Sequence, residues 1–239
     1  MEVVDLTQEI YNGMPVFPGH LKTVIFPFHT HEETFGSVHG EKGEFSYTTY
    51  GLLLSDHGPT HVDSIWHISN KPGAKKIDEI PLGNFITSAI CLDFTHVKPR
   101  GIVSVEELEA ALERTRLDVR RGDTVLLYTG HYDRTYPRKE YLTENPGLDH
   151  DGTVWLAEHG VVNIGIDATT IDSCGNTVKK YFPAHQVCAE YAIMNTENLC
   201  NLDKVSGRRF TYVGLPLKIR GGTGSPIRAV ALLNELGKS

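Results

Sequence analysis

Residues 57–67 read HGPTHVDSIWH, which sets His57, His61, Asp63 and His67 at offsets of 0, 4, 6 and 10. Every step is even, and in an extended chain even steps put side chains on one face. Two imidazoles and a carboxylate, from His57, His61 and Asp63, can therefore converge on one ion. Asp63 has a second oxygen with which to bridge to another metal. His67 is left over for proton transfer. The bland alternative is a histidine-rich surface strand or loop. Pro59 cannot donate to a strand ladder, so the spacing predicts an irregular or edge element with a turn or bulge at the proline.

Outward from this segment, the chain reads as strands with few helices between them. The runs at 123–129 (DTVLLYT) and 161–167 (VVNIGID) are short, apolar and bounded by glycine, as buried strands are. Tyr212 to Ile219 and Ser88 to Phe94 are further candidates. Ser104, followed three residues on by Glu107, predicts a capping box, and Leu108, Ala111 and Leu112 continue the helical stripe to about Leu117. This order favours an α+β sheet core over a regular β-α repeat. With 239 residues, no low-complexity linker and no internal repeat, residues 1–239 are expected to form a single domain.

Polar groups in the second half could complete the first cluster. Residues 182–199 (FPAHQVCAEYAIMNTENL) hold His185 and Glu197 in an apolar stretch, and buried groups of that kind need partners. Each alone is bland: a satisfied histidine, or the start of a surface turn. The glycine-rich Arg220–Ser225 lacks the Gly-Lys-Ser/Thr end of a phosphate loop and reads as a turn feeding the last strand. Asp167 and Asp172 could act as paired carboxylates, but read more simply as a strand-end cap and a turn. Thr170 offers a hydroxyl suited to orienting water or substrate. Trp66, beside His67, is expected as a pocket wall or else as plain core, and His131 could line the site, though no spacing supports it.

Taken together, these stretches resemble the metal-dependent cyclase/hydrolase family, which includes bacterial kynurenine formamidases, isatin hydrolases and related ring-opening hydrolases. The family signature H-x-G-T-H-x-D-x-P-x-H is met at His57, Thr60, His61, Asp63 and His67. Pro59 stands where the family has Gly, and Ile65 where it has Pro. Residues 4–19 (VDLTQEIYNGMPVFPG), 164–172 (IGIDATTID, with Thr170 at the family's Ser) and 216–232 (PLKIRGGTGSPIRAVAL) are similar to further landmarks in the same order. The His185 to Glu197 spacing matches as well. The resemblance implies a mixed β-sheet or barrel core of the swivelling β/β/α type, with helices outside. It implies His57, His61 and Asp63 as ligands of a first metal. It implies Asp63, His185 and Glu197 as ligands of a second where two are bound, with His67 as the general acid/base and Thr170 near the chemistry. The cofactor is then one or two divalent ions per subunit, Zn or Mn, and neighbouring subunits help enclose the site. The Pro59 and Ile65 departures lie between the ligands and bear on pocket shape more than on metal binding.

Composition limits the partners. A formal charge of −7 with no basic cluster argues against nucleic acid, which needs a basic footprint. No apolar run approaches the ~20 residues of a membrane span. The start MEVVDLTQEI has neither the basic region nor the apolar run of a secretory signal. Cys91, Cys174, Cys188 and Cys200 form no C-x-x-C pair, so free thiols in a cytoplasmic protein are expected. The stiff apolar run Met14–Pro18 is expected at a subunit contact or pocket mouth of a homodimer or homotetramer. The expected activity is metal-dependent hydrolysis of a non-peptide C–N bond in a small molecule: a cyclic imide, a cyclic amide or an N-formyl arylamine. A lactone-hydrolysing or polyketide-cyclase type is the alternative within the family. Outside it, His61, Asp63 and His185 fit the triad of a non-haem Fe(II) oxygenase, and a non-catalytic metal-binding protein is the third reading.

Overall fold

The computed structural model describes residues 1–35 and 45–233. Thirteen strands are present among them: β1 (Glu2–Asp5), β2 (Val24–His29), β3 (Thr49–Leu53), β4 (His61–Asp63), β5 (Ile86–Asp93), β6 (Ile102–Val103), β7 (Thr124–Tyr128), β8 (Gly147–Leu148), β9 (Asn163–Ile166), β10 (Met194–Glu197), β11 (Arg209–Val213), β12 (Gly224–Pro226) and β13 (Val230–Leu233). Nine form one mixed sheet in the order β1-β13-β11-β5-β7-β9-β10-β4-β12. The pairs β5–β7, β7–β9 and β9–β10 are parallel, and the remaining pairs are antiparallel. Parallel strands are covered on both faces, and the unbroken apolar runs of β7 and β9 are buried accordingly.

The sheet curls. Past the end of β1, Leu6 O accepts from Cys200 N at 3.0 Å and Thr7 bridges Leu199, although Cys200 follows β10, six places away in the sheet. One core cluster fills the inside of this half-barrel with Val4, Leu126, Phe210, Tyr212 and Ala231. The other joins Ile90, Leu92, Val125, Ile164 and Ile166 to helix residues Leu108, Leu156, Ala184 and Cys188. The helices are α1 (His31–Thr34), α2 (Ile65–Ile68), α3 (Val105–Thr115), α4 (His131–Thr135), α5 (His150–Glu158), α6 (Cys174–Thr177) and α7 (Pro183–Tyr191). The architecture is the α+β class expected from the sequence.

Local differences from the sequence reading have physical causes. The strand expected over Tyr212–Ile219 is β11, which ends at Val213; Pro216 soon follows, and a proline cannot donate to a ladder. Ser104 Oγ does accept from Glu107 N, at 3.4 Å, but the reciprocal arm is missing because Glu107 instead binds His96 at 2.6 Å. Helix α3 closes at Arg116 in the left-handed conformation, φ 56°. The His57–His67 segment is neither an edge nor one extended face. β4 lies between β10 and β12, antiparallel to both, because the glycine-rich turn after Arg220 delivers β12 outside it. Even spacing thus operates within β4 for His61 and Asp63. His57 arrives from the preceding turn, and His67 from α2. No helix among the described residues is long and apolar enough to cross a membrane.

Candidate metal centre

Strand alternation and register place the first groups. His61 and Asp63 share a face of β4, and Glu197 of β10 stands directly opposite His61. His61 Nε2 lies 3.3 Å from Asp63 Oδ1 and 3.6 Å from Glu197 Oε2. His57 Nδ1 reaches the same Asp63 oxygen at 2.7 Å. From α7, His185 Nε2 approaches Asp63 Oδ2 at 3.6 Å and Glu197 Oε1 at 3.5 Å. Asp63 therefore divides its oxygens between two groups, His57/His61/Asp63 and Asp63/His185/Glu197, and within each group the donor atoms lie within 4.8 Å of one another.

Each of the three imidazoles has its other nitrogen tied to an acceptor, which orients a metal-binding ring and selects its tautomer. Thr223 Oγ1 donates to Asp56 Oδ2 at 2.6 Å and so accepts from His57 Nε2 at 2.8 Å. His61 Nδ1 donates to Pro59 O at 2.9 Å. His185 Nδ1 donates to Asp172 Oδ2 at 2.5 Å, while Asp172 Oδ1 accepts from Ala184 N at the start of α7. His57 Nδ1, His61 Nε2 and His185 Nε2 are left facing the carboxylates: protonated they donate to them, and deprotonated they offer a lone pair to a cation. Ile171 N donates to Glu197 Oε1 at 3.1 Å and fixes that side chain too.

The charges fit a cation. Burial alone would raise the Asp63 carboxyl, but hydrogen bonds from His185, His57 and His61 hold it well below the ordinary range. Burial, and then the charge of Asp63, push the Glu197 carboxyl up to about 7. Two buried carboxylates are thus forced together with only imidazoles to balance them. The donor set of nitrogens and oxygens is one that divalent zinc or manganese accepts.

His67 is placed differently. Its ring lies against His57, centroids 3.8 Å apart at 35°, and its nitrogens have no hydrogen-bond partner among the described residues. Partial burial pushes its pKa down to about 4; Asp63 opposes this, while His57, His185 and His61 add to it. It lines a cavity of about 320 Å³ together with His57, His61, His185, Glu197 and the apolar Phe17, Ile68 and Phe182. The six metal and proton-transfer candidates are therefore brought together. Thr170 lines the same cavity, but its hydroxyl accepts from Asp172 N at 3.3 Å.

Trp66 is a correction. It points outward, 38% exposed, with Lys76 Nζ 5.7 Å from its ring centroid. Adjacent helix positions differ by about 100°, so turning His67 into the cavity turns Trp66 out. His131 is buried elsewhere, against Tyr141. Asp172 does more than shape a turn, since it holds His185. Of the run Met14–Pro18, Met14 is buried and Phe17 reaches the cavity. His20, Phe182, Asp56 and Thr223 also belong to the site and were not singled out from sequence. His20, Phe182 and Thr223 lie at separations from the His57 segment that follow no period, Asp56 directly precedes it as an ordinary turn residue, and Thr223 sits in a stretch that reads as an ordinary glycine turn.

A curled mixed sheet with a buried histidine–carboxylate cluster at a cavity defines a protein built around a metal centre. The chain belongs to the cyclase family, described as "Putative cyclase", whose profile matches residues 4–173. Among curated relatives, it is 28% identical over 230 residues to the kynurenine formamidase of Salinibacter ruber, covering 96% of this chain and 97% of that one. It is 27% identical over 235 residues to the kynurenine formamidase of Geobacillus thermodenitrificans, covering 98% of both. Its fold matches that of an isatin hydrolase solved with the product analogue thioisatinate, at a TM-score of 0.86 and 22% identity, covering 98% of this chain and 93% of that one.

Proposed function

We propose that the protein is a divalent-metal hydrolase that cleaves a non-peptide C–N bond in a small cyclic imide, cyclic amide or N-formyl arylamine. The carrying observation is the junction of two three-residue donor groups at Asp63, beside a His67 whose nitrogens make no hydrogen bond among the described residues and a partly aromatic cavity. The formamidase relatives support the bond type. His57, His61 and Asp63 would hold one ion, and Asp63, His185 and Glu197 a second. Such an ion, Zn or Mn, supplies a polarised carbonyl and an acidified water. The residues of the chain do the rest. His67 is neutral at pH 7, so it can take the proton of the attacking water and return it to the leaving nitrogen. Phe17, Ile68 and Phe182 give a planar substrate an apolar surface and exclude water from the reacting bond. Thr170 belongs to the same lining.

The oxygenase triad of His61, Asp63 and His185 does not form one donor group: His61 falls with His57 and Asp63, and His185 with Asp63 and Glu197. A substrate panel tests the reading: N-formylkynurenine, isatin, a succinimide-type ring and a lactone, each with added Zn²⁺ or Mn²⁺. Oxygen-independent hydrolysis of one of the C–N substrates is expected. Turnover of the lactone alone would overturn the bond assignment. The four cysteines are buried and unpaired, which supports a reducing, cytoplasmic setting. A homodimer or homotetramer is supported by the hairpin β2–β3, a two-stranded sheet with Phe28, Tyr50 and Leu52 exposed.

A further inference from the structure

At the Nδ1 side of His61 a buried chain of polar groups joins four distant segments: Gln8 after β1, Pro59 before β4, Tyr141 before β8, and Asn198 directly after β10. Gln8, Tyr141 and Asn198 are 3%, 0% and 8% exposed. Gln8 Nε2 lies 2.6 Å from the Tyr141 hydroxyl, the hydroxyl 2.7 Å from Asn198 Oδ1, and Asn198 Nδ2 2.9 Å from Pro59 O. The same carbonyl takes His61 Nδ1, which is 3.5 Å from Asn198 Nδ2.

The sense of this chain is dictated from one end. A backbone carbonyl only accepts, so both groups facing Pro59 O must present N–H. The Asn198 amide then has its oxygen toward Tyr141, whose hydroxyl donates to it and in turn accepts from the Gln8 amide. The reverse sense would set two oxygens against each other at Pro59. His61 consequently carries its proton on Nδ1. Asn198 also ties the two strands of the centre together. Its φ is 59°, a left-handed conformation that asparagine tolerates better than most residues, and its backbone O accepts from Thr60 Oγ1 at 2.5 Å. The loop bearing His57 and His61 is thereby clamped to the end of the strand bearing Glu197.

We infer that Asn198, backed by Tyr141 and Gln8, is a positioning residue that holds the Pro59 carbonyl against His61 Nδ1, so keeps that ring in its Nδ1–H tautomer and tunes the affinity of the centre for a divalent cation. The affinity half rests on the metal reading above; the tautomer half is a property of the metal-free chain. Asn198→Gly keeps the left-handed backbone and deletes the amide. Tyr141→Phe breaks the chain one link further back. Two readouts on the full chain serve: the imidazole ¹⁵N shifts of His61 in chelated protein at a pH where the ring is neutral, and calorimetric Kd for Mn²⁺ and Zn²⁺. Expected are a single Nδ1–H tautomer in the unaltered chain and a mixture in Asn198→Gly. The Kd of that variant should weaken by up to about 10-fold, the lower end of the effect of losing an outer hydrogen bond to a metal ligand, because the carbonyl bound to His61 remains and only its support is lost. Tyr141→Phe should shift both in the same direction by less. An unchanged tautomer together with unchanged Kd in folded variants overturns the inference. Should Asn198→Gly fail to fold, Tyr141→Phe decides by the same readouts. If the unaltered chain binds neither ion, the proposed function falls, while the ¹⁵N shifts still judge the positioning role.

Discussion

His67 differs from the three histidines proposed as ligands in having, among the described residues, no acceptor to hold either nitrogen, which suits a group that must gain and lose a proton. His67→Ala should keep near-normal metal content and lose roughly 10²–10⁴-fold in kcat, the usual worth of general acid/base catalysis. Wild-type turnover in that variant would end the assignment. His61→Ala or Asp63→Ala should instead lose bound metal and activity together, which elemental analysis of the purified variants decides. Because the His67 pKa is pushed down to about 4, its base form fills as the pH rises through 4 and is complete at 7. A kcat/KM limb at about pH 7 in metal-saturated protein should therefore belong to the metal-bound water and keep its midpoint in His67→Ala; a limb near the ordinary histidine value that disappears in that variant would contradict it. Glu197 titrates the other way. In metal-free protein its carboxyl is raised from 4.5 to about 7, so protonation stabilises the fold below 4.5 and that contribution is lost as the pH climbs through 7. A bound cation needs the carboxylate. The Tm gap between loaded and chelated protein should widen from about pH 5.5 to 8, and a constant gap in calorimetric scans would count against Glu197 as a ligand.

At the scale of elements, the centre depends on how closely the chain approaches itself around residue 172. Gly147 in β8 has no side chain because a Cβ there would meet Asp172 C, Ile171 O and Ser173 N at 2.5 Å. Those are backbone atoms and cannot swing aside. Gly147→Ala should cost about 1–3 kcal/mol by overpacking. It should also displace Asp172 from His185, lowering occupancy of the Asp63/His185/Glu197 group before the His57/His61/Asp63 group. Thermal unfolding and metal stoichiometry measured together check this, and two equal losses would mean that the segment does not act through Asp172. Helices α2 and α7 have complementary parts in the same arrangement. One turns His67 inward; the other starts at Pro183, with Asp172 accepting its Ala184 N–H, and so points His185 at the strands.

At the scale of the whole molecule, one hairpin stands apart from the main sheet among the described residues. Hairpin β2–β3 is not hydrogen-bonded to the nine-stranded sheet, and a lone two-stranded hairpin is marginal in water. Phe28, Tyr50 and Leu52 are 65%, 60% and 61% exposed on it. Burial against a second copy would supply the missing partner, so light scattering at micromolar concentration should give at least twice the 26.6 kDa of one chain. Phe28→Ser with Leu52→Ser should lower that mass. A single 26.6 kDa species in the unaltered protein would refute the assembly.

Much of the site was legible because its chemistry is carried by residue type and short spacing. His57, His61, Asp63 and His67 sit within one segment, and alternation in β4 alone puts His61 and Asp63 on one face. The buried runs of β7 and β9 declared a covered sheet for the same local reason. The strand end at Val213 and the missing arm at Ser104 were not legible, since each turns on a competing partner or an early stop nearby. What only the tertiary structure decided is which distant atoms orient each proposed ligand: Thr223, itself held by Asp56, for His57, the Asn198 chain with Pro59 O for His61, and Asp172 for His185. The sequence names the donors because a side chain's chemistry is local. It does not name their orienting partners, because those are chosen by sheet register, strand order and the curl that brings residue 8 to residue 141.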